Sequence, residues 1–264
     1  ARFSDRWIED GSFLKLKRYI IRNDIRLLHA HSSSFFMASI MKFLIPTIAI
    51  IWHDHYGNSE NISKRPFKLV RFLSKRFKAI IAVNSILKEW AEQKLKCNEV
   101  NYITNFASLD TSLLKETKVY GIKGSRICCL ANLRPQKDHI SLLKAFRIVH
   151  AEYPEWTLHL VGKDFNDTYA KMVRNMIEEY DLNEVVFQYG SCNDVPYLLS
   201  EMEIGVLSSN SEGLPLALLE YGLAKLPVVV TNVGNCADVV TNAKDGLIVK
   251  AEHSIDLATA IIKL

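Results

Sequence analysis

At 264 residues, 48% of them hydrophobic, the chain is long and apolar enough for two modest α/β cores, which excludes a disordered polypeptide. The five cysteines, Cys97, Cys128, Cys129, Cys192 and Cys236, contain no CxxC pair, so a disulfide framework and a zinc finger are both disfavoured and reduced thiols of a cytoplasmic protein are expected. The formal charge of +4 divides unevenly: residues 1–124 hold 21 Lys and Arg against 11 Asp and Glu, residues 125–264 hold 12 against 18. No recognition-helix motif, RNP-like strand or zinc finger accompanies the basic half, so a nucleic-acid partner is not expected. The longest apolar run, 43–52, is broken by Pro46 and too short to span a bilayer.

In chain order, residues 13–21 alternate apolar and basic side chains at helical spacing. Residues 26–32 read as a short buried strand running into a polar turn, 34–43 as a helix, and 47–52 as a strand that ends in His53-Asp54-His55-Tyr56-Gly57. Strand 79–83, helix 85–95 and strand 100–104 follow, an alternation that calls for a parallel sheet with right-handed crossovers. Between them, residues 64–78 carry Lys64, Arg65, Lys68, Arg71, Lys75, Arg76 and Lys78 without an acid, interleaved with Phe67, Leu69, Val70, Phe72, Leu73 and Phe77. As one helix this is basic and amphipathic: it suits peripheral contact with an anionic membrane, and equally a solvated outer helix with its apolar side on the sheet.

The pattern turns irregular after Asn105, and residues 113–124 read as a linker between a domain at 1–112 and another at 125–264. The second series runs strand 126–130, helix 140–152, strand 156–161, helix 167–180, strand 185–188, helix 195–202, strand 204–207, a helix opened by Pro215, strand 228–231 and a helix from Ser254. No GxGxxG follows any strand and no Walker loop is present, which argues against dehydrogenase and P-loop chemistry.

The stretch Ser208-Ser209-Asn210-Ser211-Glu212-Gly213-Leu214-Pro215-Leu216-Ala217-Leu218-Leu219-Glu220-Tyr221-Gly222 places one carboxylate just before a helix and a second ~1.5 turns into it, at the edge of a sheet where open α/β folds bind ligands. Sugar and ribose hydroxyls are natural donors to such a pair. A dipole partner at Glu212 and an ordinary helix residue at Glu220 have the same spacing, although the helix is apolar nearly all round, where a carboxylate needs a partner. In the loop 131–138, Arg134 and Lys137 lie three apart and can clamp a diphosphate, Arg as a fork and Lys as a point charge. His53, Asp54 and His55 form a polar cluster at a sheet edge, with a general base a better role than metal ligation, since adjacent residues on a turn rarely face one ion.

Glu-Gly-Leu-Pro-Leu-Ala-Leu-Leu-Glu resembles the Glu-x7-Glu motif of the retaining nucleotide-sugar glycosyltransferases, family 4, and the likeness runs from about Ile25 to the last residue. The resemblance implies two Rossmann-like domains facing across a cleft, the B-type glycosyltransferase architecture. It implies a nucleotide-diphosphate sugar as donor, no metal or other cofactor, and a saccharide or lipid-linked acceptor, with the enzyme cytoplasmic and peripheral on the inner membrane face. By position, Arg134 and Lys137 correspond to the family's Arg and Lys that meet the diphosphate, although Asn132 stands where many members have Gly. Glu212, Gly213, Leu214 and Pro215 correspond to the donor-sugar loop, Glu220 to the ribose contact, and Gly190 with Ser191 to the backbone that holds the base. His53 corresponds to the strand-end His beside donor and acceptor; Asp54, His31, Ser32 and Asn105 face the acceptor, with Phe106 replacing the family's Gly after Asn105. The glycine-rich loop that usually opens the first domain, and the helix that crosses back to it at the end, are not matched, so a fragment is expected. A nucleotide-sugar 2-epimerase of the same architecture and a silent binding module are the alternatives.

Overall fold

A computed structural model describes residues 12–56, 59–104, 106–108 and 115–264. Its contacts divide the chain into two compact units, Ala1–Thr104 and Asn105–Leu264. The division falls after Thr104, outside the expected linker 113–124. The described part of that linker is tied to the second unit: the Glu116 and Thr117 amides and the Thr117 hydroxyl all donate to the buried Asp194 carboxylate, and Tyr120 stacks on Phe187.

In the first unit α1 (Ser12–Arg22) precedes β1 (Leu27–His31), α2 (Phe35–Leu44), β2 (Ala49–Asp54), α3 (Lys68–Ser74), β3 (Ala79–Ala82), α4 (Ser85–Lys94) and β4 (Val100–Tyr102). The strands form a parallel sheet in sequential order β1-β2-β3-β4. Ala30, Ile50, Trp52 and Ile80 face a core closed by Val70, Phe77 and Trp90. Asn84 caps α4 by accepting from the Leu87 amide at 2.8 Å.

Two expectations fail here for local reasons. The strand expected to stop at Trp52 continues through Asp54, so His53 and Asp54 are strand residues and their side chains leave on opposite faces. The basic helix expected across 64–78 is reduced to the seven residues of α3. Pro66 disfavours helical geometry at Arg65, and Arg65 is drawn into an ion pair inside the unit.

The second unit runs β5 (Arg126–Leu130), α5 (His139–Glu152), β6 (Thr157–Val161), α6 (Thr168–Glu179), β7 (Val186–Gly190), α7 (Val195–Ser200), β8 (Ile204–Leu207), α8 (Leu216–Leu223), β9 (Val228–Thr231), α9 (Cys236–Val239), β10 (Gly246–Val249) and α10 (Ser254–Lys263). Its six strands are all parallel in the order β10-β9-β8-β5-β6-β7. β5, β6 and β8 are buried almost throughout, which is why their sequences are apolar toward both faces rather than alternating, interrupted at Arg126, Thr157 and His159. Gly190 is the last residue of β7 rather than a residue beyond it. Asp138 and Asp167 cap α5 and α6 through their carboxylates.

Candidate active site

In the second unit the chain leaves β5 toward β6 on one side and enters β8 on the other, so β5 and β8 flank the point where the winding reverses. Open α/β sheets bind ligands outside the carboxyl ends of the strands at such a point. The loop after β5 brings Lys137 there and the loop after β8 brings Glu212. Lys137 Nζ donates to Glu212 Oε1 at 2.5 Å, with the lysine side chain 22% and the glutamate side chain 8% exposed. The Ser209 hydroxyl donates to the same oxygen at 2.6 Å. Ser208 donates to the Lys137 carbonyl at 3.0 Å, and the Asn210 amide to that of Gln136 at 2.8 Å. Thr231, at the end of β9, donates to the Ser209 carbonyl at 2.5 Å. Three strand ends are thereby laced together around one carboxylate and one ammonium.

Gly234 completes the lacing from the far side. It has φ +53, and a Cβ there would lie 2.2 Å from the Glu212 carbonyl oxygen, so the loop after β9 presses directly on the Glu212–Gly213 backbone. The Asn235 amide donates to the Gly213 carbonyl at 2.9 Å. Glu212, Gly213, Leu214 and Pro215 therefore form one braced loop entering α8.

Glu220 sits on α8, whose buried side is Ala217, Leu218 and Tyr221, while Leu216 and Leu223 are exposed. The expectation of a helix enclosed nearly all round is thus corrected to a one-sided one. Glu220 is half-buried, burial raises its pKa above the ordinary carboxylate value, and among the described residues no side chain pairs with it. Its neighbour Tyr221 is fully buried and sets the helix in place. The Tyr221 hydroxyl accepts from the Leu130 amide at 2.6 Å and reaches the Cys128 and Val206 carbonyls at 3.2 Å. The ring fits because residue 205 is glycine: a Cβ there would come within 2.7 Å of it.

At the carboxyl ends of β5, β6 and β7 a small cavity of about 120 Å³ is lined by Leu133, Gly162, Asp164, Gln188 and Gly190, among others. Gly190 thus joins a concave surface, and Ser191 beyond it is exposed. Arg134 is exposed too, its guanidinium 4.7 Å from the Phe165 ring, and it is not part of the Lys137–Glu212 contact.

In the first unit the period of the strand sorts the predicted residues. His31 pairs in register with His53, and His29 lies on the same face two residues earlier. His55 joins them, accepting from or donating to His31 at 2.9 Å between ring nitrogens. The nitrogens of His29, His31 and His53 come within 4.8 Å of one another, a donor set chemically suited to zinc. However, the His29 and His53 rings are stacked 5.3 Å apart at 6°, and lone pairs in parallel planes do not converge on one ion. Ser32, with φ +48, is exposed and offers its carbonyl to the Trp52 indole at 2.8 Å. Asn105 lies outside the described residues.

Asp54 points the other way. It is 1% exposed and held by Arg65 at 2.6 and 2.8 Å. The guanidinium lies 4.2 Å from the Trp90 ring centre and 4.3 Å from that of Tyr56. The structure separates Asp54 from the histidines it adjoins in sequence and gives it an internal ion pair instead.

Burial, then the charges of His55, His31 and His29, lower the pKa of His53 from the ordinary 6.5 to about 4, and those of His29 and His55 move the same way. The unfolded chain takes up these protons near 6.5 and the folded unit only at lower pH. The stability contributed is complete above 6.5 and is lost as pH falls toward 4. His53→Asn is therefore expected to shrink the drop in melting temperature between pH 7.5 and pH 5, followed by tryptophan fluorescence; an unchanged drop contradicts this account.

Sequence reasoning missed Ser208, Ser209, Thr231, Gly234, Tyr221 and Arg65. Ser208, Ser209 and Tyr221 stood in the stretch singled out around Glu212, but the backbone that Ser208 and Thr231 grip lies 71 and 22 residues away, and no spacing rule reveals it.

The sequence model described as glycosyl transferases group 1 matches residues 115–264, and that described as glycosyltransferase family 4 matches residues 3–111. Among curated proteins, an uncharacterized glycosyltransferase of Haemophilus influenzae is 28% identical over 188 residues, covering 69% of this chain and 50% of the relative. The chain thus spans about half the length of that relative. An Escherichia coli UDP-Gal:alpha-D-GlcNAc-diphosphoundecaprenol alpha-1,3-galactosyltransferase is 22% identical, covering 96% of this chain and 70% of the relative. Among solved structures, HepE of Anabaena in complex with UDP-glucose superposes with a TM-score of 0.75 at 20% identity, over 95% of this chain and 71% of that one.

Proposed function

The chain belongs to the glycosyl transferases group 1 family, and from that premise we propose that it is a retaining glycosyltransferase. It moves a sugar from a nucleotide-diphosphate donor to a saccharide or lipid-linked acceptor, in bacterial surface polysaccharide synthesis on the cytoplasmic face of the membrane. The observation that carries this reading is the Lys137–Glu212 pair at the switch point of the second sheet. A lysine already aimed at that edge meets the diphosphate as negative charge grows on it in the departing group, with Arg134 as a second cation at the mouth. Glu212 is released from Lys137 by the incoming anion and turns to the hydroxyls of the donor sugar, with Gly213, Leu214 and Pro215 shaping the loop around it. Glu220, unpaired by any described side chain, takes the ribose hydroxyls. Gly190 and Ser191 border the cavity for the base. In the first unit His53, with His31 and Ser32 on the same edge, serves the acceptor, and its low pKa keeps the imidazole neutral at physiological pH, so that it can accept a hydrogen bond from an acceptor hydroxyl.

The organisation is that of an entropy trap with preorganised charge, and no step in it calls on a cofactor. The relative from Escherichia coli acts, by its name, on a diphosphoundecaprenol-linked sugar, which supports a lipid-linked acceptor here. The test is incubation of the chain with UDP- and GDP-sugars and undecaprenyl-diphosphate or saccharide acceptors, with the new linkage read by proton NMR. A product of the donor's own anomeric configuration is expected. An inverted product, or a C2-epimerised free sugar without transfer, overturns the reading.

A further inference from the structure

The strand period that separates His53 from Asp54 also decides what His55 can do. β2 runs through Asp54, so His53 and His55 leave on one face while Asp54 leaves on the other, where Arg65 holds it. β1 adds His31 to the histidine face, in register with His53. Three imidazoles thus meet at the carboxyl ends of β1 and β2, and the acid that adjoins two of them in sequence is turned away. His31 is exposed, which opens the cluster to solvent.

Their geometry differs from that of His29 and His53. His31 Nδ1 and His55 Nε2 lie 2.9 Å apart. Two nitrogens on one tetrahedral zinc, each about 2.0–2.1 Å from the metal, stand roughly 3.3 Å apart, so this pair is already near the spacing of co-ligands. The His53 ring centre is 4.0 Å from that of His55 at 36° and 5.0 Å from that of His31 at 41°. Tilted planes let lone pairs converge where parallel ones do not, and a ligating nitrogen of His53 lies within 4.8 Å of one of His31. The terminal torsion of an imidazole turns in a broad well, which supplies the remaining adjustment.

Both ring nitrogens of His53 are buried and have no hydrogen-bond partner among the described residues. Buried polar atoms are ordinarily partnered, so these mark a contact still to be made. A metal ion takes imidazoles in their neutral form, and can therefore sit among three of them without charging one against another.

We propose that His31, His53 and His55 form a binding site for a divalent ion of the zinc class, with three neutral nitrogens as ligands and the fourth position left to water. His29 stays outside it, stacked on His53 at 6°. An ion held there occupies the edge given above to the acceptor, so the two exclude one another. Metal binding itself is measured without donor or acceptor and does not depend on the transfer reading.

The experiment is calorimetric titration of the chelator-stripped full chain with zinc, and a parallel titration with cobalt followed by its visible absorption. A single zinc per chain is expected, and a cobalt spectrum of tetrahedral intensity without the thiolate charge-transfer band that Cys97 or Cys192 would give. His55→Asn and His31→Asn are each expected to weaken zinc by at least about tenfold, the smallest loss seen when even an outer partner of a ligand is removed. His29→Asn is expected to leave the affinity nearly unchanged, and circular dichroism establishes that the three variants are folded. Absence of zinc binding, a thiolate band with cobalt, indifference to His55→Asn, or an equal loss in His29→Asn overturns the proposal.

Discussion

Lys137→Ala is expected to lower transfer by about 10²–10³-fold, the scale lost when one preorganised donor to developing negative charge is removed. The same change is expected to cost about 2 kcal/mol of stability, less than a fully enclosed pair because the lysine keeps 22% of its side chain in water. It leaves the Glu212 side chain, 8% exposed, held by the Ser209 hydroxyl without a compensating cation from Lys137. The two effects separate in a double-mutant cycle. Lys137→Met combined with Glu212→Gln removes both charges, so stability recovers toward wild type while transfer stays low. Transfer within threefold of wild type in Lys137→Ala means that the ion pair only braces the loop.

Arg65→Met is expected to destabilise the first unit by about 3–5 kcal/mol, because it strands a carboxylate that is 1% exposed. Asp54→Asn keeps hydrogen-bonding capacity toward Arg65 and the Tyr56 amide, and a smaller loss is expected. Asp54→Leu with Arg65→Met, an apolar pair of similar volume, is expected to recover much of the stability. Urea unfolding read from Trp52 and Trp90, whose rings lie 5.5 and 4.2 Å from the guanidinium, measures all three. A loss below about 1 kcal/mol for Arg65→Met would mean that the carboxylate finds water or another partner, and would return Asp54 to the candidates for acceptor contact.

The elements most easily read from sequence were those whose burial writes directly into residue type. β8 is enclosed on both faces and appears as an uninterrupted apolar run, and β5 and β6 nearly so, broken at Arg126, Thr157 and His159. The Glu-x7-Glu spacing located Glu212 and Glu220 because both lie on one loop and the helix it enters. Legibility fell where the deciding contact is distant. Arg65 belongs to a run of bases that reads as one helix, and only Asp54, brought beside it by the sheet, reveals that it turns inward, so that the helix starts only at Lys68. His53 and Asp54 look like one cluster in sequence, yet two-residue alternation sends one to the histidine face and the other to the core. Gly234 and Thr231 brace Glu212 across the strand ends of β8 and β9, a closeness that depends on strand order. The order β10-β9-β8-β5-β6-β7, which makes Lys137 and Glu212 neighbours, is a property of the sheet and of no local pattern.

The most direct test of the central claim, that the switch point of the second unit holds a donor nucleotide, is calorimetric titration of the chain with UDP and with GDP, repeated on Glu220→Gln and Lys137→Ala. One nucleotide is expected to bind at micromolar strength. Glu220→Gln should weaken it by about 10–100-fold, the scale of a charge-assisted hydrogen bond to the ribose, and Lys137→Ala by at least as much through the diphosphate. Binding that is unchanged in both variants would place the nucleotide elsewhere on the chain and contradict the account.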